Sequence, residues 1–255
     1  MSRPQPAARR ARIVANPAAI YEEAAERFAA SAGLGVARSG SFRVVLSGGA
    51  TPRGLYEILA RGDLPFRARV PWAKSEFFWG DERPVPPDHP DSNYRMAREA
   101  LLSRLPVAET NIHRIRGEAA RAEDAAREYE TMLRTRLATP PGEGPAFDLV
   151  LLGLGPDGHT ASLFPGSAAL NEPGRLVSAP WVEKLGTHRI TLTPEAINSA
   201  AEVLFLVSGA EKAKALAAVL EGPERIDLLP AQAIRPKGGA LTFLVDRAAA
   251  GELHG

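Results

Sequence analysis

Residues 147–165 read FDLVLLGLGPDGHTASLFP, and this stretch decides the fold. Its first part, Phe147–Leu152, is almost wholly apolar, which is typical of a strand buried on both faces of a parallel sheet. Glycines at 153, 155 and 158 then interrupt the apolar run and predict a loop at the carboxyl end of the strand. Ligands of open α/β sheets bind at that end of the strands. The stretch therefore predicts a central strand with a functional loop directly after it.

Strand-like apolar runs alternate with amphipathic helices on both sides of this stretch. The predicted strands are Ile13–Ala15, Phe42–Leu46, Glu76–Trp79, Asn111–Ile115, Phe147–Leu152, Arg189–Thr193, Glu202–Val207 and Leu241–Val245. Helices are predicted after Pro17 and over Pro52–Ala60, Asn93–Arg104, Ala119–Leu137 and Glu211–Leu220. This alternation favours the α/β class, as a three-layer α/β/α sandwich with a mostly parallel sheet and helices on both faces.

The chain shows no internal repeat, linker or low-complexity tract, which predicts a single domain over residues 12–255. Residues 1–11 are predicted to form a flexible amino-terminal arm. Four arginines lie in or next to this arm: Arg3, Arg9, Arg10 and Arg12. A mitochondrial presequence is an alternative, but the segment is short and poor in serine, and it has no apolar region typical of secretion. We therefore expect a cytoplasmic protein.

The composition excludes several classes of protein. The chain has 255 residues, with 31 basic and 30 acidic side chains, five histidines and no cysteine. Without cysteine there is no disulfide framework, thiol nucleophile or cysteine-ligated zinc. The balanced charge gives no broad basic surface for nucleic acid. The longest apolar runs, such as Val203–Val207, are far shorter than the ~18 residues that cross a membrane. Acid–base chemistry is therefore expected from a histidine, or from a carboxylate or lysine with a shifted pKa.

The segment Gly153–Gly158 satisfies the G-x-G-x-x-G pattern of dinucleotide-binding loops. However, Asp157 would place a carboxylate where the pyrophosphate lies, and Pro156 removes an amide donor. We instead expect the loop to bring Asp157 against His159, because a general base needs an orienting carboxylate beside its imidazole. The alternative is a histidine held in a turn by hydrogen bonds, without a catalytic role.

A second loop, Ser47-Gly48-Gly49-Ala50-Thr51-Pro52, lies between a predicted strand and a predicted helix. Its glycines let backbone N–H groups approach an oxyanion, two hydroxyls add donors, and the helix N-terminus favours negative charge. The loop lacks lysine, so it is not a Walker A motif and does not indicate ATP. The alternative is a tight turn that uses glycine only for its geometry.

Three cationic residues are candidates for binding the oxygens of an anionic substrate. Arg83 follows a strand in Asp81-Glu82-Arg83, where Asp81 could position it. Arg189 opens a predicted strand and Lys212 a predicted helix, and both are candidate phosphate ligands. Surface ion pairs and solvated charges are the alternatives. No pair of His, Asp or Glu residues has convincing metal-ligand spacing, so no metal is expected.

Taken in order, these motifs resemble the 6-phosphogluconolactonase family. The matching stretches are Leu46–Tyr56 (LSGGATPRGLY), Phe78–Arg83 (FWGDER), Asp91–Tyr94 (DSNY), Gly153–Pro165 (GLGPDGHTASLFP), Arg189–Thr193 (RITLT), Ser208–Ala213 (SGAEKA) and Leu229–Ala231 (LPA). The resemblance implies a Rossmann-like α/β sandwich. It also implies hydrolysis of 6-phospho-D-glucono-1,5-lactone to 6-phospho-D-gluconate in the oxidative pentose phosphate pathway, without metal or organic cofactor.

With that activity, His159 is the expected general base and Asp157 orients its imidazole. Arg83, positioned by Asp81, offsets charge on the oxyanion together with backbone N–H groups. The expected phosphate-binding residues are Ser47, Gly48, Gly49, Thr51, Arg189 and Lys212. The expected partner is a small phosphorylated sugar lactone, with neither nucleic acid nor a membrane. The chain is expected to be a monomer or a weak homodimer.

Two other functions are alternatives. The related glucosamine-6-phosphate deaminases and sugar-phosphate isomerases resemble the chain at the glycine-rich loop and at Asp-Gly-His. The deaminases typically continue with Phe-Asn-Glu-Pro, which supplies a catalytic glutamate, whereas this chain has Ala161-Ser162-Leu163-Phe164-Pro165, without a carboxylate. They also tend to carry Asp-Glu-Tyr where this chain has Asp81-Glu82-Arg83. The second alternative is a sugar-phosphate sensor without turnover, against which the Asp157/His159 pair argues.

Overall fold

The structure is a computed structural model that describes residues 10–140 and 142–254. In these ranges the strands are β1 (Arg10–Val14), β2 (Phe42–Leu46), β3 (Ser75–Trp79), β4 (Asp81–Glu82), β5 (Ile112–His113), β6 (Leu149–Leu152), β7 (Val177–Ser178), β8 (Trp181–Val182), β9 (Thr187–His188), β10 (Ile190–Leu192), β11 (Glu202–Val207) and β12 (Ala240–Asp246). The helices are α1 (Pro17–Ser39), α2 (Ala50–Ala60), α3 (Pro65–Arg69), α4 (Asn93–Ala100), α5 (Ala122–Arg136), α6 (Pro194–Ile197) and α7 (Ala213–Leu220).

The first strand begins earlier than the sequence predicted. β1 starts at Arg10 and pairs in parallel with β12, from Arg10 opposite Thr242 to Val14 opposite Asp246. Arg10 and Ala11, which we assigned to the flexible arm, therefore belong to the sheet. The rest of the predicted arm, residues 1–9, lies outside the described residues.

The main sheet has seven strands in the order β1-β12-β11-β6-β2-β3-β5, and every neighbouring pair is parallel. β6 is buried along its whole length, as its apolar sequence predicted. The chain runs outward from β2 to β3 and β5, and then returns to the other side of β2 as β6. The strand order therefore reverses between β2 and β6. Doubly wound sheets bind ligands at such a switch point. The predicted α/β class with a mostly parallel sheet is confirmed.

A small antiparallel sheet, β4-β10-β7, and the hairpin β8–β9 lie outside the main sheet. The strand predicted at Arg189–Thr193 is β10, and it pairs here instead of extending the main sheet. The reason is the length of the connections. Parallel pairing needs a crossover of a dozen or more residues, whereas only the short hairpin separates β7 from β10.

The predicted bounds differ most from the observed ones where an α-helix is followed or preceded by a 3-10 turn. The strands at Phe42–Leu46 and Glu202–Val207 match the prediction residue for residue. The helix predicted to end at Arg104 stops at Ala100, followed by a 3-10 turn at Leu102–Arg104. Another 3-10 turn, Ala210–Lys212, precedes α7. Within the described residues, no helix combines the length and apolarity needed to cross a membrane.

Two buried tyrosines fix the backbone at the carboxyl ends of β2 and β3. The Tyr56 hydroxyl accepts the Ser47 N–H at 3.0 Å and donates to the Ser47 carbonyl at 2.9 Å. Tyr129 does the same at Trp79, with distances of 2.8 and 3.2 Å. Burial raises the pKa of both tyrosine hydroxyls, so both remain protonated donors. The loops that follow these strands therefore begin from fixed positions.

Candidate active site

A cavity of about 530 Å³ opens at the carboxyl ends of β2, β3, β6 and β11. Most of the predicted site residues line it: Ser47, Gly48, Gly49, Thr51, Asp81, Arg83, His159 and Lys212. Asp157 and Arg189 are not among the described residues that line it. Loops far apart in the sequence thus meet at the switch point of the sheet, as the pattern of strand ends predicted.

The His159 imidazole contacts the Asp157 carboxylate. His159 Nδ1 lies 2.5 Å from Asp157 Oδ1, and the same oxygen accepts the His159 backbone N–H at 3.3 Å. Burial alone raises the pKa of the Asp157 carboxyl, but hydrogen bonds from His159 and Lys184 outweigh it and lower this pKa to about 2. An ionised carboxylate at this position assigns the ring proton to Nδ1 and leaves a lone pair on Nε2. Since only the histidine of the pair lines the cavity, Nε2 is the nitrogen available to a substrate.

The glycines of this loop make room for the histidine. A Cβ on Gly155 would lie 2.0 Å from His159 Nδ1, so the imidazole occupies the space of a side chain there. Gly158, with a φ of +79°, donates its N–H to the Gly155 carbonyl at 3.0 Å and closes the turn. Phe164 stacks on the imidazole with ring centroids 4.3 Å apart. The segment that matches G-x-G-x-x-G therefore forms a turn that holds the His159 imidazole.

The loop after β2 lines the cavity and contains a buried serine hydroxyl. Ser47 is 4% exposed, and its Oγ has no hydrogen-bond partner among the described residues. Gly49 precedes α2 with a φ of +105°, a conformation that side chains disfavour. The first residues of α2, including Thr51, line the cavity, so the positive end of the helix dipole lies next to it. This arrangement suits an anionic oxygen.

A second turn of the same form follows β11. Gly209 has a φ of +102°, close to that of Gly49, and precedes the turn that carries Lys212. The Asp246 carboxylate holds this turn by accepting the Ser208 hydroxyl at 2.6 Å and the Gly209 N–H at 3.3 Å. The cavity therefore lies between two glycine turns, at the ends of β2 and β11.

Arg83 is held by its neighbour Glu82 and by Asp91, which lies just before α4. Its backbone N–H donates to Glu82 Oε1 at 2.9 Å, and its guanidinium donates to the Asp91 carbonyl. The buried Glu82 carboxylate also accepts the backbone N–H groups of Asn93 and Tyr94, at 2.8 and 2.9 Å. Negative charge at a helix N-terminus is stabilising, so Glu82 fixes both the start of α4 and the position of Arg83.

Asp81 lines the cavity, but its contacts differ from the expected role of positioning Arg83. Its carboxylate accepts the Ser162 hydroxyl at 2.7 Å and the Asn93 side-chain amide at 3.2 Å. Ser162 belongs to the loop that carries the histidine, so Asp81 joins that loop to the end of β3. This function follows from the tertiary contact, because the two residues lie 81 positions apart.

Arg189 lies beside Arg83 and outside the cavity lining. Its guanidinium donates to the His188 carbonyl at 3.0 Å and is half-buried. Burial, and after it the charge of Arg83, lowers the pKa of Arg189. Two neighbouring cations attract negative charge, and the carboxylates Asp81, Asp91 and Glu82 offset part of this attraction. The structure thus brings Arg189 to the border of the site.

Comparison with known families shows to which family the chain belongs. The family described as glucosamine-6-phosphate isomerases/6-phosphogluconolactonase matches residues 15–243. The chain belongs to this family. The resemblance predicted from the motifs is therefore confirmed.

Individual members of the family are similar over most of the chain. A 6-phosphogluconolactonase from a Nostoc species is 45% identical over 219 residues, which cover 86% of this chain and 87% of the relative. One from a Synechocystis species is 46% identical over 219 residues, covering 86% and 88%. The structure of a 6-phosphogluconolactonase from Trypanosoma cruzi has a TM-score of 0.83 at 31% identity, covering 98% of this chain and 100% of that one.

Asn93 is a cavity residue of this family member that the sequence prediction missed. A Cβ on Gly48 would lie 1.9 Å from Asn93 Oδ1, so the glycine turn packs directly on this side chain. Asn93 also donates to the Asp81 carbonyl at 2.9 Å. The signal was present in the DSNY motif, but it gave no indication that the asparagine contacts a loop 45 residues earlier in the chain.

Proposed function

We propose that this protein hydrolyses 6-phospho-D-glucono-1,5-lactone to 6-phospho-D-gluconate, the lactonase step of the oxidative pentose phosphate pathway, with His159 as general base. The names of its relatives support the substrate class. The observation that carries the mechanism is the His159–Asp157 contact, which leaves one imidazole nitrogen free beside the cavity. An acceptor nitrogen with a fixed tautomer is what activation of water needs.

The reaction needs one base and stabilisation of one developing charge. His159 Nε2 takes a proton from water as the water oxygen bonds to the lactone carbonyl carbon. The carbonyl oxygen becomes an oxyanion, whose charge the Arg83 guanidinium offsets, an effect on the order of 3 kcal/mol per donor. The bond from this carbon to the ring oxygen then breaks, and the imidazolium returns its proton to that oxygen. Asp157 stabilises the imidazolium while it exists.

The phosphate of the substrate binds at the glycine turns. The Ser47 hydroxyl, the backbone of Gly48 and Gly49, Thr51 and Lys212 supply donors on the cavity wall, and Arg189 adds charge from beside Arg83. These contacts are made equally in the ground and transition states, so they lower KM and orient the lactone more than they raise kcat.

Substitution of the base tests this proposal. For His159→Ala, we expect kcat to fall by ~10²–10⁴-fold, the usual contribution of a well-placed general base. The measurement is a coupled assay on freshly generated lactone, corrected for spontaneous hydrolysis. Hydrolysis at the wild-type rate by this variant would show that another group is the base.

Two further measurements on the wild-type protein distinguish the alternative functions. Release of ammonia from glucosamine 6-phosphate would indicate a deaminase, although the loop after His159, at 161–165, offers no carboxylate for that chemistry. Tight binding of the gluconate product without hydrolysis of the lactone would indicate a sensor. Either result would replace the lactonase proposal.

The remaining expectations form part of this proposal. The phosphorylated lactone is the ligand, neither nucleic acid nor a membrane is a partner, and the protein acts in the cytoplasm. It is a monomer or a weak homodimer, which light scattering at several concentrations would check.

A further inference from the structure

The hairpin β8–β9 carries a lysine to the catalytic pair from outside the cavity. Its tip, residues 183–186, is exposed throughout and turns at Gly186, which has a φ of +60°. From this tip, Lys184 Nζ reaches Asp157 Oδ2 at 3.0 Å. The hairpin and the loop that carries Asp157 and His159 are separate in sequence. Neither sequence indicated that they meet.

The two oxygens of Asp157 have different partners. Oδ1 accepts from His159, at both the ring nitrogen and the backbone N–H, and Oδ2 accepts from Lys184. A carboxylate bonded at one oxygen alone can rotate about its Cβ–Cγ bond, whereas donors at both oxygens fix its plane. Lys184 therefore determines the orientation in which Asp157 meets the imidazole.

The ion pair between Lys184 and Asp157 is expected to contribute little to the free energy of unfolding. The Lys184 side chain is 66% exposed, and exposed ion pairs contribute little to folding free energy. Its partner, by contrast, is 26% exposed and hydrogen-bonded to the imidazole. A solvent-screened lysine at this place has more effect on the charge and geometry of the pair than on the fold.

Other charged groups share the cavity wall with His159. Asp81, Arg83, Glu211 and Lys212 line the cavity that the imidazole also lines. Among the described residues, Asp157 is the acidic group hydrogen-bonded to His159, and Lys184 is the cation that contacts Asp157. The lysine thus acts on the base through the carboxylate, and it is not among the described residues that line the cavity.

We propose that Lys184 is a positioning residue for catalysis, which holds the Asp157 carboxylate and thereby sets the orientation and the basicity of His159. The inference rests on the proposed lactonase function for its kinetic consequences. The positive charge of Lys184 lies one carboxylate away from the imidazole and repels a second positive charge there, an interaction that the experiment below measures.

The experiment compares Lys184→Met, Lys184→Arg and Lys74→Met. Lys74, exposed next to the amino-terminal end of β3, is the matched control for loss of one surface lysine. For Lys184→Met, we expect the acidic limb of kcat/KM to move to higher pH by roughly 0.3–0.6 unit, the size of a solvent-screened charge interaction. Its plateau kcat falls about two- to fivefold because the base is less well oriented, and KM is unchanged. Arginine restores both properties, and Lys74→Met behaves as wild type.

A second readout needs no substrate. In NMR titrations of histidine-labelled protein, the pKa of His159 rises in Lys184→Met and returns with arginine, and a His159→Asn sample assigns the resonance. This readout separates the two proposals, because a protein without lactonase activity would still give the shift. An unchanged pKa and pH profile in Lys184→Met would overturn the positioning role. So would equal impairment in the arginine variant, or a fall in the thermal midpoint that accounts for the lost activity.

Discussion

At the scale of single residues, the Ser47 hydroxyl is the group whose surroundings most clearly indicate a ligand. Ser47 lines the cavity, and its Oγ is buried without a hydrogen-bond partner among the described residues. Burying a hydroxyl without a partner costs about 1–3 kcal/mol. The backbone of the same residue, in contrast, is bonded on both sides to Tyr56. The residue is therefore held in place with its side chain free to bind.

Substitution of this residue should separate binding from stability. For Ser47→Ala, we expect the free energy of unfolding to stay equal or rise by up to ~1 kcal/mol, because an unpaired hydroxyl is removed. KM for the lactone should rise about tenfold, the value of one hydrogen bond to a charged group, while kcat changes little. Urea denaturation and steady-state kinetics measure the two effects.

Thr139 supplies the matched control, since its Oγ1 is also buried and unpartnered among the described residues but lies outside the cavity lining. Thr139→Val should change stability in the same direction and leave KM unaltered. An unchanged KM in Ser47→Ala would remove the serine from the phosphate site.

The same scale shows which site residues the sequence could predict. His159 and Asp157 lie two positions apart, so local loop geometry was enough to pair them. Asn93 and Lys184 reach the site through contacts 45 and 27 positions apart. Asn93 lies in the DSNY motif, which did not indicate its contact, and Lys184 has no distinctive local pattern. Only the folded chain brings these residues to the site.

At the scale of elements, the end of α5 is strained. Ala138 has a φ of +46°. The next N–H, of Thr139, donates to the Arg134 carbonyl at 3.0 Å, and that of Ala138 donates to the Thr135 carbonyl at 3.5 Å. These are the bonds of a Schellman motif, in which the left-handed position favours glycine because it lacks a Cβ.

Glycine at this position should therefore stabilise the protein. We expect Ala138→Gly to raise the free energy of unfolding by about 0.5 kcal/mol, the relief of left-handed strain less the greater freedom of glycine in the unfolded chain. The same change at Ala30, exposed inside α1, should lower it by about 1 kcal/mol. Urea midpoints measure both, and a loss of stability in Ala138→Gly would show that the helix end relaxes without strain.

Element prediction succeeded where a strand is an apolar run bounded by glycine or a polar turn. Phe42–Leu46 and Glu202–Val207 are of this kind and are correct at both ends. The two-residue strands β4, β7, β8 and β9 carry no periodicity to recognise. β7, β8 and β9 lie between β6 and β11, whereas β4 directly follows β3. All four are recognised by the strands they pair with, which is a property of the tertiary fold.

At the scale of the whole molecule, the net charge is close to zero. Individual carboxylates nevertheless stabilise the folded state, and they do so only when ionised. Glu76 joins three elements: it accepts from His113 on β5 at 3.2 Å and from Arg136 on α5 at 2.6 Å, while it lies on β3. The hydrogen bond from His113, opposed by burial and supported by Arg136, lowers the pKa of Glu76 to about 2. Since β5 is the edge of the main sheet, this carboxylate ties the edge strand and α5 to the interior.

Acidic pH should therefore lower the free energy of unfolding by weakening the contacts at the β5 edge of the main sheet. A carboxylate with a lowered pKa contributes stability above its unfolded pKa near 4.5 and loses it as pH falls towards 2. We expect Glu76 to account for a loss of ~3 kcal/mol over this interval. In Glu76→Gln, the slope of unfolding free energy against pH, measured by urea denaturation, should be correspondingly smaller. Asp88→Asn, which removes an exposed carboxylate, should keep the wild-type slope. Equal slopes in Glu76→Gln and the wild type would mean that the edge is held by the apolar packing of Phe78 on His113 and not by the ionised carboxylate.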